Sequence, residues 1–122
     1  MMSLVRCLAF LLMVLISQQS SDGAVPAMRF EQWCIADEQT PDDLLQQALD
    51  WACGQKDVDC TKLQAPNGVC YHPNTLVAHA SYAFNSYYQK YKHRGASCYF
   101  KGAAITTEID PSHSTCRFEF NP

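Results

Sequence analysis

Between Ala80 and Tyr91 the chain reads ASYAFNSYYQKY, five aromatic rings in twelve residues with amides and hydroxyls between them. Rings can cover flat patches of C–H bonds, while amides, phenols and carboxylates meet hydroxyl groups, so residues of these types suit binding better than catalysis. At helical spacing, about 100° per residue, Leu76, Ala80, Ala83, Phe84, Tyr87 and Tyr91 share one side and form a core stripe. The opposite side then carries Tyr82, Asn85 and Gln89, with Tyr88 on its flank. Tyr82 and Asn85 are three apart and Gln89 lies four further on, so the three side chains can form one patch. A solvated helix face with one incidental tyrosine fits the same spacing.

Further candidates lie outside this segment. Tyr71 sits in a loop between Cys70 and Pro73, and Asp50 could accept hydrogen bonds from hydroxyls. Trp33, beside Cys34, is expected to lie as a lid over the disulfide core. Trp51, in the last turn of a helix and near Cys53, is expected inside. Asp110 reads as a turn former in Asp110-Pro111-Ser112. A glycosidase needs two carboxylates flanking a cleft, whereas Glu31, Glu38, Glu108 and Glu119 are scattered. No Gly-x-Ser-x-Gly, Cys–His nucleophile context or phosphate loop occurs, so no enzyme is expected.

The elements that must position these residues follow from local signals. Residues 1–24 have the layout of a secretory signal peptide: Arg6, the apolar run Cys7 to Ile16, then small and polar residues to Ala24. Ten apolar residues fall short of the ~20 that span a bilayer, and no GPI-anchor tail follows at the other end. Residues 25–32 form a leader and 33–120 a single domain. Six cysteines remain in it, Cys34, Cys53, Cys60, Cys70, Cys98 and Cys116. In an exported chain these read as three disulfides with 15 possible connectivities. Without a Cys-x2-Cys pair, and with His72, His79, His93 and His113 dispersed, neither a metal nor a cofactor is expected. A net charge of −3 argues against nucleic acid or an anionic membrane as partner, and a monomer is expected.

Thr40-Pro41-Asp42-Asp43 predicts a helix start with Thr40 as cap, and Leu45, Ala48, Leu49 and Ala52 give it an apolar face. Gly54 should close it in a left-handed conformation. A second helix is predicted from about Asn74-Thr75 to His93, ending at Gly95. Ser97 to Phe100, Ala103 to Thr107 and Arg117 to Phe120 read as short strands. The fold class is therefore α+β, a small disulfide-stapled domain with two packed α-helices beside a small antiparallel sheet.

Trp33-Cys34-Ile35-Ala36, Ala48 to Gly54, Asp59-Cys60, Cys70-Tyr71-His72-Pro73-Asn74-Thr75, His79 to Gln89, and Asp110-Pro111-Ser112 before Cys116 together resemble the plant X8 domain, also called carbohydrate-binding module family 43. The resemblance runs from Trp33 to about Phe120 and uses all six cysteines. It implies disulfides Cys34–Cys98, Cys53–Cys60 and Cys70–Cys116, and non-catalytic binding of β-1,3-glucan such as callose. It also implies a free-standing secreted protein of the cell wall or apoplast, near plasmodesmata in some relatives, with a glucanase acting in trans as a possible partner. Lys101 stands where the family tends to have glycine, and His113 where Tyr or Phe is common. A secreted disulfide-rich protein-interaction or defence protein without glucan binding is the alternative.

Overall fold

The structure, a computed structural model, describes residues 32–122. The expected signal peptide, 1–24, and all of the leader except Gln32 lie outside the described residues.

The element order is β1 (Trp33–Ala36), α1 (Asp42–Cys53), α2 (Leu76–Tyr91) and β2 (Ala104–Thr107), with single 3₁₀ turns at Thr61–Leu63, Lys92–Arg94 and Phe100–Gly102. The two strands pair antiparallel, Trp33 opposite Thr107 and Ala36 opposite Ala104. Two helices beside a two-stranded sheet, held by disulfides Cys34–Cys98, Cys53–Cys60 and Cys70–Cys116, make a small α+β domain. The bridges span 64, 7 and 46 residues. In the chain-entropy account such loops stabilise by about 4, 2 and 4 kcal/mol, which a domain of this size needs beside its modest core.

Helix α1 starts one residue later than its signal suggests. Pro41, at φ −55° and ψ 142°, holds the cap position and has no side-chain oxygen, so Thr40 does not cap. The Pro41 carbonyl accepts the Leu45 N–H at 3.0 Å, and Asp42 and Asp43 face the positive end of the helix. Gly54 is not left-handed: at φ −83° and ψ −6° it prolongs the last turn, its N–H reaching the Asp50 and Trp51 carbonyls at 3.1 Å. Helix α2 follows its signals more closely. Thr75 Oγ1 accepts the Ala78 N–H at 3.2 Å, and the chain turns away at Gly95, whose φ of 94° suits a residue without Cβ.

Leu45, Leu49 and Ala52 of α1 pack against Ala80, Ala83 and Phe84 of α2, where the alanines let the helices approach closely. Phe84 is fully buried and stacks on Phe100, centroids 4.2 Å apart and planes 18° apart. A second cluster joins Trp33, Cys70, Tyr82, Cys116 and Phe118. Trp33 thus covers a disulfide as expected, that of Cys70 with Cys116, and Phe120 leans on it from outside at 5.3 Å.

Between the clusters, α2 takes the place of a third strand against β1. Ala36 N–H donates to Ser81 Oγ at 3.0 Å and Cys34 N–H to Asn85 Oδ1 at 3.1 Å. Gln89 Nε2 donates to the Gln32 carbonyl at 2.9 Å. Every fourth residue of the helix meets every second residue of the chain, Ala36 and Cys34 in the strand and Gln32 just before it. Asn85 Nδ2 also holds the Glu119 carbonyl at 2.8 Å, and Gln89 Oε1 accepts the Asn121 N–H at 2.9 Å and Lys92 Nζ at 2.7 Å. These contacts fix the final segment, so Arg117 to Phe120 does not form the strand its alternation predicts. An isolated bridge, His113 with Cys116, lies just before it. Ser97 to Phe100 is likewise irregular and runs into the Phe100–Gly102 turn.

Candidate functional site: an aromatic groove

The helix α1 stripe at Leu45, Leu49 and Ala52 is spent on the core, but a second stripe runs beside it. Leu44, Gln47, Ala48 and Trp51, at i, i+3, i+4 and i+7, line one wall of a groove of about 990 Å3. Tyr87 closes its end, and the stretch from Gly95 to Ala103 forms the other wall. Trp51 is 49% exposed and Tyr99 64%, with Leu44 also open.

The groove's rings are rooted in the core. Trp51 meets Tyr87 edge-on at 5.0 Å and Phe100 edge-on at 5.9 Å, and Phe100 stacks on buried Phe84. Phe100 also holds Tyr87 at 5.6 Å. Such edge and stacked pairs contribute roughly 0.5–1.5 kcal/mol each beyond their burial, enough to hold an exposed indole in one orientation. Around the rings stand polar groups from Asp37, Gln39, Thr40, Gln47, Ser97 and Lys101. The Asp37 carboxylate is itself steadied by the Gln39 N–H at 3.0 Å, and the Asp37 N–H donates to the Ala103 carbonyl at 2.8 Å, tying one lip to the other.

The lip that carries Tyr99 is shaped by three successive positive φ angles, 50° at Phe100, 54° at Lys101 and 88° at Gly102. A left-handed residue with a Cβ costs roughly 1–2 kcal/mol. Lys101 therefore occupies a conformation that glycine adopts freely, at the position the resemblance marked as a departure.

The sequence-predicted site residues do not assemble here. Tyr82, Asn85 and Gln89, expected to point outward, are 0–1% exposed. Tyr82 packs edge-on against Phe118 at 5.4 Å, and the two amides join α2 to β1 and the final segment. Their expected outward patch is thus corrected: it is the face that replaces a strand. Tyr88 is half-buried beside the main core, with Lys92 Nζ 5.7 Å from its ring centre. Burial pushes the Lys92 ammonium below the ordinary lysine range. Tyr71 is half-buried, its ring against His72 at 4.8 Å and His79 at 5.7 Å, outside the groove lining. Asp50 is exposed, bonded to Gln46 Nε2 at 2.9 Å, and does not line the groove either. Of the expected core stripe, Phe84 is buried while Tyr87 and Tyr91 are half-exposed. Trp51, expected inside, is instead the groove's most exposed helix ring. The signal that would have found it is the second i, i+3, i+4, i+7 stripe on α1, visible once Leu45, Leu49 and Ala52 are assigned inward.

Among the described residues Asp37 is the one carboxylate lining the groove, and no cluster of three or more His, Cys, Asp or Glu could hold a metal ion. No helix among them is long and apolar enough to cross a membrane.

Comparison with known proteins matches residues 32–105 to the X8 domain. The chain is 45% identical over 92 residues to glucan endo-1,3-beta-glucosidase 12 of Arabidopsis thaliana, covering 75% of this chain and 17% of that protein. It is 50% identical over 88 residues to glucan endo-1,3-beta-glucosidase 3 of the same plant, covering 72% of this chain and again 17% of the relative. The chain thus spans about a sixth of those enzymes. Against the major pollen allergen Ole e 10 of Olea europaea, identity is 41% over 93 residues, with 76% of this chain and 75% of that protein covered. No solved structure matches. The match across most of the described domain, at these identities, makes the chain a member of the X8 domain family.

Proposed function

We propose that the protein binds β-1,3-glucan without cleaving it, and that the groove between α1 and the 95–103 stretch is where it does so. The observation that carries this reading is the pair Trp51 and Tyr99, two open rings on opposite walls with amide, hydroxyl and carboxylate groups around them. A glucan chain presents C–H faces for the rings and hydroxyls for the rim. The relatives named as glucan endo-1,3-beta-glucosidases point to the linkage. A single groove carboxylate, where glycoside hydrolysis uses a pair, supports binding without catalysis. The six paired cysteines support export to an oxidising compartment such as the cell wall, where a glucanase would meet the same polymer in trans.

Sedimentation of the oxidised protein with insoluble β-1,3-glucan, with cellulose as control, tests the proposal. Retention on the first polymer alone is expected, and Tyr99→Ala should weaken it with the thermal midpoint nearly unchanged. Equal retention on both polymers, or on neither, would overturn it.

A further inference from the structure

The two edges of the sheet are finished differently. On the β1 side, the Cys34 and Ala36 N–H groups end on Asn85 and Ser81 of α2, so nothing more can pair there. On the β2 side, the Asp37 N–H bond to the Ala103 carbonyl sets the phase of the ladder. Ile105 and Thr107 turn their backbone groups toward β1, and Ala104 and Thr106 turn theirs away. The Ala104 N–H is taken by the Tyr99 carbonyl at 3.3 Å. The Thr106 N–H and carbonyl and the Ala104 carbonyl have no main-chain partner among the described residues. Within β2 there is neither a lysine nor a proline to discourage pairing, Ile105 is half-exposed, and Ile109 just beyond is 80% exposed.

The flanks of this open edge carry opposite charge: Lys101 precedes β2, and Glu108 and Asp110 follow it, all three exposed. We infer that a second copy of this chain pairs antiparallel with β2 along this edge, forming a two-fold dimer with a continuous four-stranded sheet. Antiparallel pairing about a two-fold axis brings each Lys101 flank against the copy's acidic flank, twice per dimer. It satisfies the Thr106 N–H and carbonyl on both sides and covers the isoleucines. A parallel arrangement would set like charge beside like. The edge is only four residues long, so the dimer is weak, in the range of small transient interfaces, and the monomer expected from the sequence is its dilute form.

Sedimentation velocity of the oxidised protein from ~10 μM to ~1 mM is the test. The sedimentation coefficient should rise with concentration toward that of a dimer, and less steeply at high salt. Thr106→Pro removes the outward N–H without touching the bonds to β1, and should weaken the dimer at least ~10-fold. Lys101→Glu should weaken it by about 5-fold, and adding Glu108→Lys with Asp110→Lys should restore it, because two exposed pairs are exchanged. The charge swap decides the matter alone if the proline variant fails to reach the wild-type thermal midpoint. A monomer at every concentration overturns the inference. So does a dimer indifferent to both changes, or one abolished instead by Trp51→Ala, which would place the contact in the groove.

Discussion

Replacing Asn85 by alanine separates the two roles this residue could have. Its Oδ1 accepts the Cys34 N–H at 3.1 Å and Gln89 Nε2 at 3.0 Å, and its Nδ2 donates to the Glu119 carbonyl at 2.8 Å. Cys34 is completely buried, so its N–H would be stranded, at a cost of about 1–3 kcal/mol. Gln89 Nε2 keeps the Gln32 carbonyl and the Glu119 carbonyl can find water, so these add about 1 kcal/mol together. A loss of about 2–4 kcal/mol follows, out of the roughly 5–15 that hold a domain. At about 4–8 °C per kcal/mol, the thermal midpoint should fall by roughly 10–30 °C. The assay is thermal and guanidinium unfolding with the disulfides intact, followed by sedimentation with β-1,3-glucan well below the new midpoint, where retention should persist. A midpoint within a couple of degrees of wild type, combined with lost retention, would refute the reasoning. Asn85 would then be a ligand contact on an outward face.

Trp51→Ala should do the reverse. With half its surface open, the ring's loss removes two edge contacts and lowers stability by about 1–3 kcal/mol, while glucan affinity, measured by titration with soluble oligosaccharide, drops ~30-fold or more. Lys101→Gly should raise stability by about 0.5–1 kcal/mol in guanidinium titrations, the relief of a left-handed lysine less the extra freedom of glycine in the unfolded chain. The Thr61 hydroxyl and the Thr61 N–H, the latter at 2.9 Å, hold the exposed Asp59 carboxyl below its ordinary value of 3.8. Because the folded value is the lower one, this contribution is present above pH 3.8 and disappears as pH falls through the folded pKa. The acid-side decline of the thermal midpoint should therefore be shallower in Asp59→Asn.

Helix α2 shows what could be read from the chain and what could not. Its ends were legible because Thr75 and Gly95 act locally, through a side-chain oxygen and a missing Cβ. Its orientation was not. Ala80 to Ser86 are seven consecutive buried residues, nearly two turns, since α1 covers one side of the helix while β1 and the final segment cover the other. A helix enclosed in this way has no solvent side for periodicity to reveal, and amides that look like surface chemistry are there to serve backbone groups. The groove was hidden for a different reason. Half of it is the irregular 95–103 stretch, whose left-handed turn has no repeat, and the other half is a second stripe on α1 masked by the first.

The rungs joining α2 to β1 obey a simple metric. Four residues of helix advance about 6 Å, and two residues of strand about 6.6 Å, so the two rulers nearly coincide and then drift apart. The side chains that bridge them lengthen in step, serine at 81, asparagine at 85, glutamine at 89. Each rung is thus one bond or so longer than the last, and serine, asparagine and glutamine supply that graded series of neutral polar side chains. The vernier between helix and strand fixes which side chain each rung needs, so exchanging Ser81 and Gln89 would leave one rung too long and the other too short.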